Sequence, residues 1–325
     1  MIAERMKLLV GSQTSGMRNR ARKLSAEGVH VVNFAAGELD QDTSVSIKNA
    51  ARKAIDTHQT QYSDTLGIKA LREQLARKVS GRAGLTYAPE EVGFTAGAKQ
   101  ALFNAVFVSF QAGDEVLIPA PYWVTFPEQV RLAGATPVFL PTTHHDFQID
   151  ADELCRLITP RTRGILLNTP HNPTGVVYPP AILEKIARLA VEHRLTCIFD
   201  ECYDQLVYTP AEHSNIVKLV PEMKARTILV GSLSKTYCIA GWRAGFVAAP
   251  APTIKAIANF QSHTASNACN LVQHAALAAL DAQNDSFVAG IRGQLAVRRD
   301  LALSRIRNLP PLTCVVPTGA FYLFP

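Results

Sequence analysis

Lys235 stands just beyond Thr227–Gly231, an apolar run that turns polar at Ser232-Leu233-Ser234. A lysine at the exit of a buried strand is partly desolvated, which lowers its pKa and frees the amine to attack a carbonyl. Alone it would read as a surface lysine opening a helix. Ser232, Ser234 and Arg243 change that reading, because hydroxyls and a guanidinium around a helix entry make a cup for phosphate. Asp200 closes a second apolar run, Leu195–Phe199. A carboxylate leaving the core there needs a polar partner, and three are open: a helix N-terminus, a metal ion, or a protonated ring nitrogen. An apolar strand ending in Asp-Glu also resembles the magnesium-binding strand of P-loop ATPases. That loop is absent: Ser234 holds the place of its required glycine, and its first glycine is missing upstream.

Three further segments lie at comparable positions. Asn172 sits in Asn172-Pro173-Thr174-Gly175, by composition an ordinary turn. It follows the apolar run ending at Asn168, where its amide could hydrogen-bond a ring hydroxyl. Tyr203, three residues past Asp200, could reach the same ring or simply pack at the core edge. Thr95-Ala96-Gly97-Ala98-Lys99 is a small-residue turn into a helix, with backbone N–H groups free to meet phosphate. Pro121-Tyr122-Trp123 offers a flat aromatic that could stack on a ring or close the core.

These groups need a frame that brings them together. From Val29 to Ala248, short β-branched runs alternate with helical patterns. The spacing predicts strands at Val29–Phe34, Glu91–Phe94, Glu115–Ile118, Thr136–Leu140, Gly164–Asn168, Leu195–Asp200, Thr227–Gly231 and Arg243–Ala248. Several lack polar alternation, as strands covered on both faces should. Helices are predicted at Ala98–Phe110 and Pro180–His193, the latter with Ile182, Leu183, Ile186, Leu189 and Ala190 on one stripe. This alternation implies an α/β fold, a mostly parallel sheet between helices. Ligands in such sheets bind beyond the carboxyl ends of the strands, where all the groups above fall.

Bulk properties imply a large buried core and allow anionic ligands. The 325 residues are 47% hydrophobic and 18% charged, below the roughly 25% usual for globular proteins. The net charge of +6 is spread thinly. It suits phosphates and carboxylates, whereas nucleic-acid binding would show clustered basic runs. Six cysteines form no CxxC pair and read as reduced thiols of a cytoplasmic protein. No metal-ligand set is assigned, and no window of about 18 apolar residues suits a membrane span.

With these residues in place, the chain resembles class I aminotransferases of the fold type I pyridoxal-phosphate family, near the bacterial aspartate aminotransferase subgroup. The motifs that carry the resemblance are AGELDQDT, QYSDTLGIKALRE, AGAKQALFN, APYW, NPTG, DECYD, SLSK and GWRAGF. It implies a seven-stranded, mostly parallel sheet, and residues 45–285 as the large cofactor domain. Residues 1–44 would form an arm with part of the small domain, and 286–325 the beginning of the C-terminal small domain.

The resemblance also implies roles. Lys235 would bind pyridoxal 5′-phosphate covalently and shuttle the proton at the substrate's Cα. Asp200 would keep the pyridine nitrogen protonated, Tyr203 and Asn172 would bond the ring oxygen, and Trp123 would stack on the ring. Gly97, Ala98, Ser232, Ser234 and Arg243 would surround the phosphate. Tyr62 would reach the neighbouring subunit's phosphate, implying a homodimer. Gly37 would contact the substrate's α-carboxylate through its backbone, and Lys99 its distal carboxylate. The implied reaction moves an amino group between an L-amino acid, aspartate- or glutamate-like, and a 2-oxo acid. A lyase or decarboxylase on the same scaffold, or a cofactor-binding remnant, are the alternatives.

Two departures bear on this. Leu39 replaces a proline usual in the family, and Gln41 a residue that is often aromatic. The chain also stops at Gly319-Ala320-Phe321-Tyr322-Leu323-Phe324-Pro325, read as a strand that ends as a raw hydrophobic edge. No residue matches the family's α-carboxylate arginine, so a truncated chain with incomplete substrate binding is the expectation.

Overall fold

The computed structural model describes residues 13–34 and 37–325, together with Ile2, Met6, Lys7, Leu9 and Gly11. Among these residues seven strands form one sheet: β1 (Val92–Ala96), β2 (Glu115–Ala120), β3 (Thr136–Pro141), β4 (Thr162–Asn168), β5 (Thr196–Asp200), β6 (Thr227–Ser232) and β7 (Ala244–Ala248). Their spatial order is β1-β7-β6-β5-β4-β2-β3. Strands β2 to β6 pair in parallel, while β7 runs antiparallel to both neighbours. Its reversal matters for function. It places the start of β7, next to Arg243, at the same sheet edge as the carboxyl ends of the others.

Helices cover both faces: α1 (Gln13–Ala26), α2 (Val45–Asp56), α3 (Lys69–Ala83), α4 (Ala98–Ser109), α5 (Thr125–Leu132), α6 (Ala151–Arg156), α7 (Pro180–Glu192), α8 (Ile216–Leu219), α9 (Ala251–Thr264), α10 (Asn270–Ala279) and α11 (Asp285–Ile306). The unbroken apolar runs of the strands follow from this double cover. Leu117, Ile165, Leu167, Cys197, Phe199 and Leu229 join one buried cluster, with Leu183 and Ile186 of α7. Their sequence neighbours Val116, Ile118, Leu166, Ile198, Ile228 and Val230 join the other, with Leu102 and Val106 of α4 and Ile257 of α9. Successive side chains of a strand point to opposite faces, so both parities must be apolar. Each fully buried Leu or Ile contributes about 1.5–3 kcal/mol.

Two expectations are corrected. Residues 29–34 form no strand: Val29, Val32 and Phe34 are 49%, 63% and 94% exposed. β-branched residues favour a strand only where a neighbouring strand and a packed face receive them, and this run gains neither. The C-terminal run is likewise no raw strand edge. It makes a single bridge, Gly319 to Val207, and its backbone is sewn into two loops. Gly319 N–H donates to Gly175 O at 2.8 Å, and Ala320 N–H to Leu206 O at 2.8 Å. Ala320 is fully buried.

The sheet also sets a test of its packing. Gly231 pairs across the ladder with Phe246, and a Cβ at Gly231 would lie 2.0 Å from the Phe246 ring. Phe246 is 1% exposed and cannot swing into solvent. Gly231→Ala should therefore destabilise the protein by about 1–3 kcal/mol through overpacking. A lowered urea midpoint that Phe246→Leu partly restores would show the coupling; an unchanged midpoint would refute it.

Candidate active site

The carboxyl ends of β1, β2, β4, β5 and β6 lie along one edge, and each delivers a polar residue or a turn there. Gly97 follows β1, Trp123 follows β2, Asn172 follows β4, Asp200 ends β5, and Ser232 ends β6. Cross-strand register sets Asn168 beside Asp200 and Ser232 beside Gly245. The sheet thus collects residues far apart in the chain, which no local motif could do.

Lys235 projects from the turn after β6, and its Nζ donates to Gly37 O at 2.6 Å. Burial lowers its pKa, and the nearby Arg243 guanidinium lowers it further. The amine is therefore closer to its neutral, nucleophilic form than a surface lysine would be.

Asp200 is 3% exposed. Burial raises its pKa to about 6, and its Oδ1 accepts a hydrogen bond from Cys202 N–H at 3.0 Å. No cationic side chain pairs with it among the described residues. Its neighbour Glu201 takes those partners instead: Asn215 Nδ2 donates to Glu201 Oε2 at 3.1 Å, with His213 Nε2 at 3.0 Å and Arg82 at 4.0 Å. Asp200 is left as a buried carboxylate in need of a cation.

Tyr203 and Asn172 lie side by side, Asn172 Nδ2 donating to Tyr203 Oη at 3.5 Å. Both also meet a residue that sequence reasoning missed. Tyr322 Oη lies 2.5 Å from Tyr203 Oη and accepts from Asn172 Nδ2 at 3.3 Å. Burial holds both phenols well above their usual pKa, so they stay neutral hydroxyls. Tyr322 also packs on Gly37, where a Cβ would come within 2.8 Å of its hydroxyl.

Two more contributors escaped sequence reading. Asn168 accepts from the Asn172 backbone N–H at 2.7 Å and donates to Asp200 O at 3.2 Å, tying β4's loop to the end of β5. His171 is buried, bonds Thr174 Oγ1 at 2.7 Å and also bonds the backbone of Pro121. Burial lowers its pKa to about 4, so it joins two loops as a neutral ring. The polar residues at the ends of apolar runs were the available signal, and Asn168 carries it.

The residues expected around a phosphate meet where Gly97 opens α4. Gly97 has φ +82°, and a Cβ there would strike the Arg243 guanidinium at 2.6 Å. Glycine alone lets the guanidinium lie against the backbone where the first amides of α4, from Ala98 onward, lack helical acceptors. Ser232 and Ser234 are buried; Ser234 N–H donates to Ser232 Oγ at 3.1 Å, and Ser234 Oγ donates to Ala244 O at 3.1 Å. Lys99 Nζ lies 4.8 Å from the centre of the Trp123 ring, which meets Phe126 edge-on at 5.5 Å. Tyr62 is 90% exposed. Of the AGELDQDT segment, Ala36 lies outside the described residues.

A buried lysine of lowered basicity, a guanidinium beside a helix entry and a buried carboxylate lacking a cation suit a phosphorylated, cationic ring aldehyde. That is the class of pyridoxal-phosphate enzymes. Comparison with known proteins narrows the class. The family model for aminotransferase class I and II matches residues 29–325. An aspartate aminotransferase of Geobacillus stearothermophilus is 38% identical over all of this chain and 82% of its own length. An aspartate/prephenate aminotransferase of Cereibacter sphaeroides is 39% identical over 97% of this chain and 79% of its own. The structure of Thermus thermophilus aspartate aminotransferase with maleate superposes with a TM-score of 0.96 at 39% identity. It covers 99% of this chain and 84% of that one. The chain belongs to the class I and II aminotransferase family, and it is a pyridoxal-phosphate-dependent transaminase with the fold type I architecture.

Proposed function

We propose that this enzyme transfers the amino group of a dicarboxylic amino acid, aspartate or glutamate, to a 2-oxo acid, with Lys235 as its central catalytic residue. The observation that carries the substrate class is Lys99, whose ammonium stands over the Trp123 ring. Relatives named for aspartate support this reading, as does the Thermus thermophilus structure with maleate, itself a dicarboxylate.

The residues divide the work. When bound, pyridoxal phosphate supplies an aldehyde that condenses with amines and a protonated ring that draws electrons from the substrate's Cα. Gly97, Ala98, Ser232, Ser234 and Arg243 would hold its phosphate, and Asp200 would keep its ring nitrogen protonated. Asn172 and Tyr203 would bond the ring oxygen, and Trp123 would cover the ring from water. Lys235 would take the proton from the substrate's Cα and deliver it to the carbon that carried the cofactor's aldehyde oxygen. Gly37 offers backbone contacts to the α-carboxylate. The exposed ring of Tyr62 suits a reach into a second subunit, so we read the enzyme as a cytoplasmic homodimer. Residues 45–285 form the cofactor-holding unit in this reading, flanked by the 1–44 and 286–325 portions of a smaller one.

The test is the half-reaction. Aspartate or glutamate should bleach the visible band of the cofactor-loaded protein and release the matching 2-oxo acid, with alanine far less effective. Lys99→Ala should raise KM for the dicarboxylates roughly tenfold to a hundredfold, the worth of one charged hydrogen bond. Equal or better use of neutral amino acids, unaltered in that variant, would remove the dicarboxylate assignment.

A further inference from the structure

Far along the chain from Lys235, the turn that follows β3 gathers three metal-ligating side chains. A short helical turn, Thr143–His145, carries two adjacent histidines, and α6 presents Glu153 in its first turn. His144 Nε2 lies 3.1 Å from Glu153 Oε2, and His145 Nε2 lies 3.6 Å from the same oxygen. One ligand atom from each of the three residues falls within 4.8 Å of the other two. A tetrahedral ion with bonds of about 2.0–2.1 Å sets its ligand atoms about 3.3 Å apart. The two observed separations bracket that value.

We propose that His144, His145 and Glu153 form a binding site for a divalent transition cation of the zinc class. Two imidazole nitrogens and one carboxylate favour zinc, cobalt or nickel over magnesium or calcium, which prefer all-oxygen sets. Three protein ligands leave a fourth position for water. Side-chain exposures of 50% for His144 and 37% for His145 place both rings at the surface, with His145 Nε2 itself turned inward.

The local backbone explains why adjacent histidines converge. Asp146 (φ +52°) and Phe147 (φ +64°) both take left-handed conformations directly after them. The chain curls tightly there, and the two rings stand 4.2 Å apart at 46°. Glu153 is fixed from the other side. Asp150 caps α6, its Oδ1 accepting from Asp152 N–H at 2.8 Å and Glu153 N–H at 2.9 Å. Its second oxygen lies 3.8 Å from His145 Nε2 and adds negative charge beside the site.

Glu153 hydrogen-bonds His144 but stands 3.6 Å from His145, and Asp150 stands 3.8 Å from it. His145 Nε2 is shielded from solvent and has no hydrogen-bond partner. A bound cation would satisfy it. The site also has a route to the catalytic edge. Thr142 donates to Ala120 O through both its N–H and its hydroxyl, at 2.9 Å each, just before the Tyr122–Trp123 loop. Phe147 meets Phe324 edge-on at 5.6 Å, within the segment that carries Tyr322. An ion here would fasten the turn that borders both.

The experiment uses the full cofactor-loaded chain titrated with Zn²⁺ or Co²⁺. One equivalent should bind, and the Co²⁺ complex should show visible ligand-field bands without a thiolate charge-transfer band. Zn²⁺ should raise the thermal midpoint. His145→Asn and Glu153→Gln should each weaken binding by roughly tenfold or more, abolish the midpoint shift and leave the cofactor band unchanged. Cys155→Ser, two residues from Glu153, should change nothing. Undiminished binding in both ligand variants, a thiolate band, or no binding at all would overturn the proposal and reduce the cluster to a surface ion pair.

Discussion

Alanine at position 235 is expected to lower amino-transfer turnover by at least about 10⁴-fold, since positioned acid–base catalysis alone contributes roughly 10²–10⁴-fold and the nucleophile is lost as well. The fold should survive. The Lys235 side chain donates one hydrogen bond, to Gly37 O at 2.6 Å, and such a bond contributes about 1 kcal/mol. Circular dichroism and the thermal midpoint should therefore change little. Lys235→Arg separates chemistry from charge. Its guanidinium keeps the positive charge near Gly37 but stays protonated, so it can neither attack a carbonyl nor accept a proton. Both variants should lose the visible band of the lysine-bound cofactor and fall together in turnover. Substantial turnover in the arginine variant would make Lys235 an electrostatic contact and move the proton transfer to another residue.

Much of this frame was legible because its cause is local. Apolar runs such as Ile165–Leu167 and Cys197–Phe199 must be strands covered on both faces, and the structure buries alternate residues in opposite clusters. Their ends point at one sheet edge by topology, so Asn172, Asp200 and Ser232 could be placed together without coordinates. The missing pieces depend on contacts that sequence distance hides. Tyr322 meets Tyr203 and Asn172 across 119 and 150 residues. The apolar run around it looked like a strand because alternation and hydrophobicity cannot distinguish a ladder from a segment threaded between loops. Residues 29–34 misled in the opposite way, having strand-forming side chains but no neighbour to pair with. His144 and His145 follow no ligand spacing either. Their convergence comes from two left-handed residues, Asp146 and Phe147, neither of which is a glycine that would have marked the turn.

Asp200 yields the prediction in which stability and activity move in opposite directions. Burial raises its folded pKa to about 6 from an ordinary 3.8, so between those values the folded state without cofactor binds more protons than the unfolded state. Unfolding then releases protons, and stability must fall as pH rises through this window. Above about pH 6 the full penalty is present, about two pK units or roughly 3 kcal/mol. Asn at this position carries no charge and can still accept from Cys202 N–H. The cofactor-free Asp200→Asn protein should therefore be the more stable of the two at pH 8, with the difference vanishing near pH 4. Urea unfolding at the two pH values measures this directly. With cofactor present the order should reverse if, as proposed above, the ionised carboxylate holds the ring-nitrogen proton. Loss of that charge pair should lower kcat by about tenfold to a hundredfold, the usual worth of a hydrogen bond to a charged group. A variant that is both less stable without cofactor and fully active with it would show that the burial of Asp200 serves the fold, and that the ring nitrogen finds its partner elsewhere.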